Sequence, residues 1–158
     1  MNKIITIAIL GIALTTPALA AEKSSNVGVN ASVDNTIGIH GEFNIQPSVS
    51  IQVFLKNNSR SYYHNNNPIG LYNYNYTALG VTGIYDFSKI ISLANKKVHP
   101  FAGLGVFAVS AGNNNVSSPS TGGAYLTVGA RYEFSPEIDF EANVNNLGGP
   151  TIGANLKF

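Results

Sequence analysis

The chain has 158 residues, 44% of them hydrophobic and only 11% charged, with 16 Gly, 20 Asn and neither Cys nor Trp. A soluble domain usually carries about 25% charge; here neutral amides supply most of the polarity. Low charge excludes charge-driven disorder, a net charge of +1 excludes the cationic strip that nucleic acid demands, and the lack of Cys excludes disulfides, thiolate chemistry and Cys-type zinc sites.

The first twenty residues read as a targeting segment. Met1-Asn2-Lys3 is a short basic start, Ile4 to Leu14 is an apolar run broken by Thr6 and Gly11, and Ala18-Leu19-Ala20 follows Pro17 as a small-residue cleavage signal. Together they make a cleaved secretory signal peptide at residues 1–20. The run is too short for a membrane anchor, which needs roughly 20 apolar residues. Its removal leaves one domain, residues 21–158, with eight basic and eight acidic residues. No later stretch is long and apolar enough for a transmembrane helix, so entry into a membrane must be made by strands.

From Asn26 the dominant period is two. Apolar or small residues alternate with polar ones or Gly along Val27–Val33, Ile37–Ile45, Val49–Leu55, Leu79–Tyr85, Ala102–Ala108, Ala124–Phe134, Ile138–Val144 and Ile152–Phe158. The pattern predicts eight half-apolar strands. Hairpin partners must keep their apolar faces on one side. A turn at Asp34-Asn35-Thr36 does this for the first hairpin. A turn at Gln46-Pro47-Ser48 pairs Ile45 with Val49, Phe43 with Ile51 and Gly41 with Val53, and a turn at Ser135-Pro136-Glu137 pairs Phe134 with Ile138, Tyr132 with Phe140 and Ala130 with Ala142. The last hairpin pairs Val144 with Ile152 and Ile138 with Phe158.

The connections alternate in length. Those after the second and sixth strands are tight; those after the third and fifth, residues 57–68 and 112–120, are long and rich in Asn and Ser. Short turns at one end and long loops at the other are the pattern of an outer-membrane barrel. The short first and last outer loops and the long inner turn from Ser88 to Val98 depart from it. A soluble lipocalin-type barrel would show the same alternation with the opposite sense. Against it stand a polar face poor in Lys and Glu, the many Gly on the alternate face, and a chain that closes on an apolar strand ending in Phe158.

The signal peptide, Pro100-Phe101-Ala102-Gly103-Leu104-Gly105-Val106, Val128-Gly129-Ala130-Arg131-Tyr132-Glu133-Phe134-Ser135-Pro136 and the closing Ile152-Gly153-Ala154-Asn155-Leu156-Lys157-Phe158 resemble the small outer-membrane barrels of Gram-negative bacteria, the OmpA-like, OmpX-like and opacity-type porin-family proteins. The resemblance covers nearly the whole mature chain and is one of pattern. It implies an all-β, eight-stranded antiparallel up-and-down transmembrane β-barrel in the cell outer membrane, among its lipids and lipopolysaccharide. It also implies that Phe158, with the alternating residues before it, is the signal read by the barrel-assembly machinery. No peptidoglycan-binding domain is expected after Phe158.

With the apolar face in lipid, the other face lines a lumen that side chains can just fill. The pairings set Arg131 beside Glu141, Glu133 beside Asp139, and Asp139 beside Lys157. Glu42 is expected at similar depth on the opposite wall, with His40 one inward step above it and Asp86 at the lower rim. Arg131, the one inward Arg on the strands, is the expected hub of an ionic plug. Excess acid must be relieved by protonation, by a charged His40 or by water.

At the outer end, Arg60, Tyr62, Tyr63 and His64 form a candidate contact surface for a host or cell-surface ligand, since Tyr and Asn make adaptable contacts at low entropic cost. Tyr72, Tyr74 and Tyr76 share one face, which demands aromatics in the upper lumen or a bulge above Thr77; the bulge or a loop extension is the preferred reading. Catalysis would need a nucleophile with a His in reach and an orienting acid. His64 near Ser61 and Tyr63 is the one loop candidate, and an Asn-rich loop seldom preorganises a site, so no catalytic residue, metal ligand or cofactor is expected. Three functions remain open: a structural or adhesin-like barrel with a plugged lumen, a narrow channel for water, protons or small solutes, and, more distantly, a lipid-modifying enzyme.

Overall fold

The computed structural model describes residues 25–63, 71–91, 93–113, 116–117 and 121–158; residues 1–20, the expected signal peptide, lie outside them. The strands are β1 (Asn26–Ser32), β2 (Thr36–Gln46), β3 (Val49–Tyr63), β4 (Leu71–Asp86), β5 (Val98–Asn113), β6 (Val116–Ser117), β7 (Thr121–Glu133), β8 (Ile138–Asn145) and β9 (Gly149–Lys157). Eight of them form one antiparallel sheet in chain order. The pairings β1 with β9 and β4 with β5 complete a closed barrel, and β6 is a two-residue pairing on the end of β5. Closure leaves no open edge, which hydrocarbon would not tolerate.

The alternation is inverted relative to a water-soluble protein. Val29, Ile37, Leu104, Val128 and Ile152 point outward and are each more than half exposed, while Thr36, Glu42, Lys56, Asn58, Thr82 and Asn155 are buried inside. An apolar outer wall around a polar interior is the barrel made for lipid and not the lipocalin arrangement. At the end where the chain termini meet, Tyr85 stacks edge-on against Phe87 (4.9 Å) and Phe134 against Phe140 (5.6 Å), an aromatic girdle. Phe158 N–H donates to the Ser25 carbonyl (2.9 Å) and Ser25 N–H to that of Phe158 (3.0 Å), which fastens the closing seam.

Face assignments hold along every predicted strand, but register moves in the first and last hairpins and a bulge enters the one after β2. Ala31 pairs with Ile37, so the first loop is Val33-Asp34-Asn35, one residue earlier than expected. Asn35, with φ 65°, takes the left-handed position that β-branched Thr36 would resist. In the last hairpin Val144 pairs with Pro150 and Ile138 with Leu156. The Asn145 carboxamide oxygen accepts from Leu147 N–H (3.1 Å) and Gly148 N–H (2.9 Å), and Gly149 turns the chain at φ 68°, which makes the hairpin tighter. After β2 the turn is Pro47-Ser48, and Ile45 bulges between Asn44 and Gln46 instead of facing Val49. Each shift of two preserves the face. The pairs Phe43–Ile51, Gly41–Val53, Tyr132–Phe140 and Ala130–Ala142 stand as predicted.

Two larger corrections concern the outer end. Residues 57–63, expected in a loop, continue β3, paired without interruption from Asn57↔Thr77 to Tyr63↔Leu71. The bulge expected above Thr77 is absent, because β4 keeps its register on both neighbours through that position. Tyr76 therefore faces the upper lumen. Its hydroxyl donates to the Leu147 carbonyl (2.8 Å) and lies 3.1 Å from Thr36 Oγ1, two polar partners that a lipid-facing position would not supply.

Candidate functional site

The lumen is filled in tiers, and its middle tier is ionic. Arg131 on β7 sits opposite Glu141 on β8 in the ladder, and its Nε donates to Glu141 Oε2 at 3.0 Å. The far end of the same guanidinium crosses to β2, where Nη1 and Nη2 donate to Glu42 Oε1 and Oε2 at 2.9 and 2.5 Å. This is a bidentate, charge-assisted pair, the strong geometry for Arg and a carboxylate. The Glu42 side chain is 1% exposed and that of Arg131 12%. Ser50 Oγ also donates to Glu42 Oε1, Asn143 Nδ2 donates to Glu141 Oε1 (2.6 Å), and Arg131 lies over the Phe101 ring at 4.7 Å. Arg131, Glu42 and Glu141 thus come together as expected, joining opposite walls.

His40 sits one inward step above Glu42 and is buried, with Nδ1 3.3 Å from Asn30 Nδ2. Gly28, its cross-strand neighbour, gives it room, because a Cβ there would meet the ring at Nε2.

The lower tier is a separate group at the rim. Lys157 Nζ lies 2.9 Å from Asp139 Oδ1 and 3.5 Å from Glu133 Oε2. Asp86 does not join the Arg131 cluster. Its carboxylate accepts from Ser88 N–H (2.7 Å) and from Ser88 Oγ, and stands 3.5 Å from His99 Nδ1. The reason is position: Asp86 ends β4, beside the turn that carries Ser88. His99, at 4.0 Å from Glu133, links the two halves of this rim. It was outside the predicted network, although alternation from Phe101 on the same strand points it inward.

The upper tier was not foreseen. Lys56, 2% exposed, donates to Tyr125 Oη (3.1 Å) and Asn145 Oδ1 (3.0 Å), and Phe54 packs on Tyr125 with ring centroids 4.4 Å apart. The signal was available, since Lys56 falls on the inward positions of β3 with Ser50, Gln52 and Phe54. Gly80 makes the space for Phe54: a Cβ there would lie 2.7 Å from Phe54 Cε1 and 2.7 Å from the Val106 carbonyl oxygen. Asn58 and Thr36 (2.8 Å) complete the tier below Tyr76.

Arg60, Tyr62 and Tyr63 lie on β3, paired with Tyr74, Tyr72 and Leu71 of β4, and so belong to a strand and not to the expected loop. His64 lies outside the described residues. Phe158 follows β9 directly. Among the described residues no group of three His, Asp or Glu is arranged to hold a metal ion.

Solved structures with the same architecture include three bacterial proteins. Neisserial surface protein A is 16% identical, with a TM-score of 0.60 over 86% of this chain and 94% of that one. The N-terminal β-barrel domain of Pseudomonas aeruginosa OprF is 13% identical, with a TM-score of 0.59 over 86% and 96%. Ail, the attachment invasion locus protein of Yersinia pestis, solved in complex with the heparin analogue sucrose octasulfate, is 10% identical, with a TM-score of 0.51 over 86% and 97%. At these identities the likeness is one of fold. No curated protein sequence matches the chain. Residues 6–157 match the family described as outer membrane protein beta-barrel domain, and with its closed barrel, lipid-facing wall and polar core, the chain belongs to that family and resides in the bacterial outer membrane.

Proposed function

We propose that this protein is a closed, non-conducting barrel with a structural or surface-contact role and no enzymatic activity. The observation that carries the reading is the Arg131 guanidinium, held to Glu141 on one wall and to Glu42 on the other. A water column cannot pass without breaking a buried, charge-assisted pair. Proton relay is opposed as well, because the path upward from Glu141 runs through the carboxamides of Asn143 and Asn145, which hold their protons. In planar bilayers the purified protein is expected to be silent and Arg131→Ala to leak. Open-pore current from the unaltered protein would overturn the plug.

Contact with other molecules is proposed for the outer end, around Arg60, Tyr62, Tyr63 and His64. In residues 57–76 and 111–123, Arg60 is the one formal charge, so a polysulfated ligand like the one held by Ail would meet a single cation here. An uncharged host or cell-surface ligand that stacks on Tyr and bonds to Asn fits this composition better. Whole-cell binding by the Arg60→Ala, Tyr62→Ala, Tyr63→Ala, His64→Ala variant, with folding verified by heat-modifiable migration, tests this reading, and unchanged binding would remove it. Residues 1–20 are proposed to direct export, and Phe158 to be read by the barrel-assembly machinery.

A further inference from the structure

The connection from β4 to β5 spans residues 87–97, against two residues after β2 and four after β7. It lies at the end with the short turns and the chain termini, the periplasmic end of such barrels. Its composition is unusual for a turn in water, where Gly, Asn, Asp and Ser dominate. Ile90, Ile91 and Leu93 are 67%, 45% and 39% exposed, alongside Lys89, Lys96 and Lys97 and no carboxylate.

Its placement joins it to the lipid-facing wall. Tyr85 is on the outer face with Leu79 and Val81, and Phe87 packs edge-on against it. The chain then doubles back, with Ile90 N–H and Ile91 N–H both donating to the Phe87 carbonyl at 2.8 Å. The exposed apolar side chains of the turn thus follow within a few residues of the girdle pair Tyr85 and Phe87, past the last rung of β4. The charge is equally local: in the mature chain eight basic residues balance eight acidic ones, yet Lys56, Arg131 and Lys157 are committed to the lumen, leaving a cationic turn at this rim.

We propose that this turn is a membrane-surface anchor, with Ile90, Ile91 and Leu93 seated in the interface of the periplasmic leaflet and Lys89, Lys96 and Lys97 paired with the phosphates of anionic phospholipids. Apolar burial together with basic residues at an anionic surface is how interfacial segments hold a bilayer. The chain has no Cys, so a single environment-sensitive fluorophore can be placed at Ile91→Cys or Leu93→Cys, with Glu137→Cys on the neighbouring turn as reference. The protein is folded into vesicles of phosphatidylcholine with and without phosphatidylglycerol, folding is verified by heat-modifiable migration, and an aqueous quencher is present on both sides.

The labels at 91 and 93 are expected to emit further to the blue than the label at 137 and to resist quenching. The difference should grow with phosphatidylglycerol. That increment should vanish in about 1 M salt, where screening acts within about 3 Å, and in the Lys89→Gln, Lys96→Gln, Lys97→Gln variant. Quenching equal to that at 137 in both lipids would overturn the anchor, as would protection indifferent to phosphatidylglycerol, salt and the lysines. Because the vesicles contain no other protein, a turn that serves a periplasmic protein partner gives the first of these overturning results.

Discussion

Replacing Arg131 with Ala leaves two carboxylates stranded at the middle of the lumen. Glu42 and Glu141 have side chains 1% and 4% exposed, and the change deletes three N–H donors within 3.0 Å of their oxygens. Removing one partner of a buried ion pair costs about 3–5 kcal/mol, because the remaining charge is uncompensated. Ser50, Asn143 and Asn155 still donate to the two carboxylates, which places the expected loss near the lower bound, about 3 kcal/mol. The assay is reversible urea unfolding in lipid vesicles, followed by circular dichroism and heat-modifiable migration, since the chain has no Trp to report. Adding Glu42→Gln and Glu141→Gln to Arg131→Ala should recover most of the loss, because no buried charge is then left unpaired. A loss below about 1 kcal/mol, the value of a solvent-exposed pair, would refute the reasoning by showing that water already reaches these groups.

Two further substitutions test the walls. Gly80→Ala sets a Cβ against the Phe54 ring and the Val106 carbonyl and should destabilise the barrel by about 1–3 kcal/mol, as overpacking does. Adding Phe54→Leu should restore only part of this in the same urea titration, because the backbone oxygen stays in place. Leu104→Arg, on the outer wall at 65% exposure, should cost about 2–4 kcal/mol in vesicles, as a cation near the bilayer midplane does. An unchanged midpoint would mean that Leu104 does not face hydrocarbon.

The reach of sequence reasoning is clearest at particular residues. A strand has a period of two, so the face of each side chain follows from its neighbours. This alone placed Arg131 beside Glu141, sent Glu42 and His40 inward, and would have placed Lys56 and His99 had the alternation been carried through to them. Where a strand ends is less legible, because Asn, Ser and Tyr serve a polar lumen as well as a loop. Residues 57–63 therefore read as loop although they are strand, and Tyr76 suggests a bulge although β4 is regular there.

The chain by itself determined eight two-faced strands through their alternation, and it was the scarcity of Lys and Glu on the polar face, the many Gly and the apolar closing strand, not the alternation, that turned the apolar face outward as in an outer-membrane barrel. Only the tertiary structure decided the register of the first and last hairpins, since a slip of two residues leaves every face unchanged and the choice falls to local turn chemistry at Asn35 and Asn145. It alone decided which charges meet across the lumen. Arg131 and Glu42 are 89 residues apart in sequence, and their pairing depends on the circumference and closure of the barrel, whereas Asp86, on the same polar face, is held at the rim by where its strand stops.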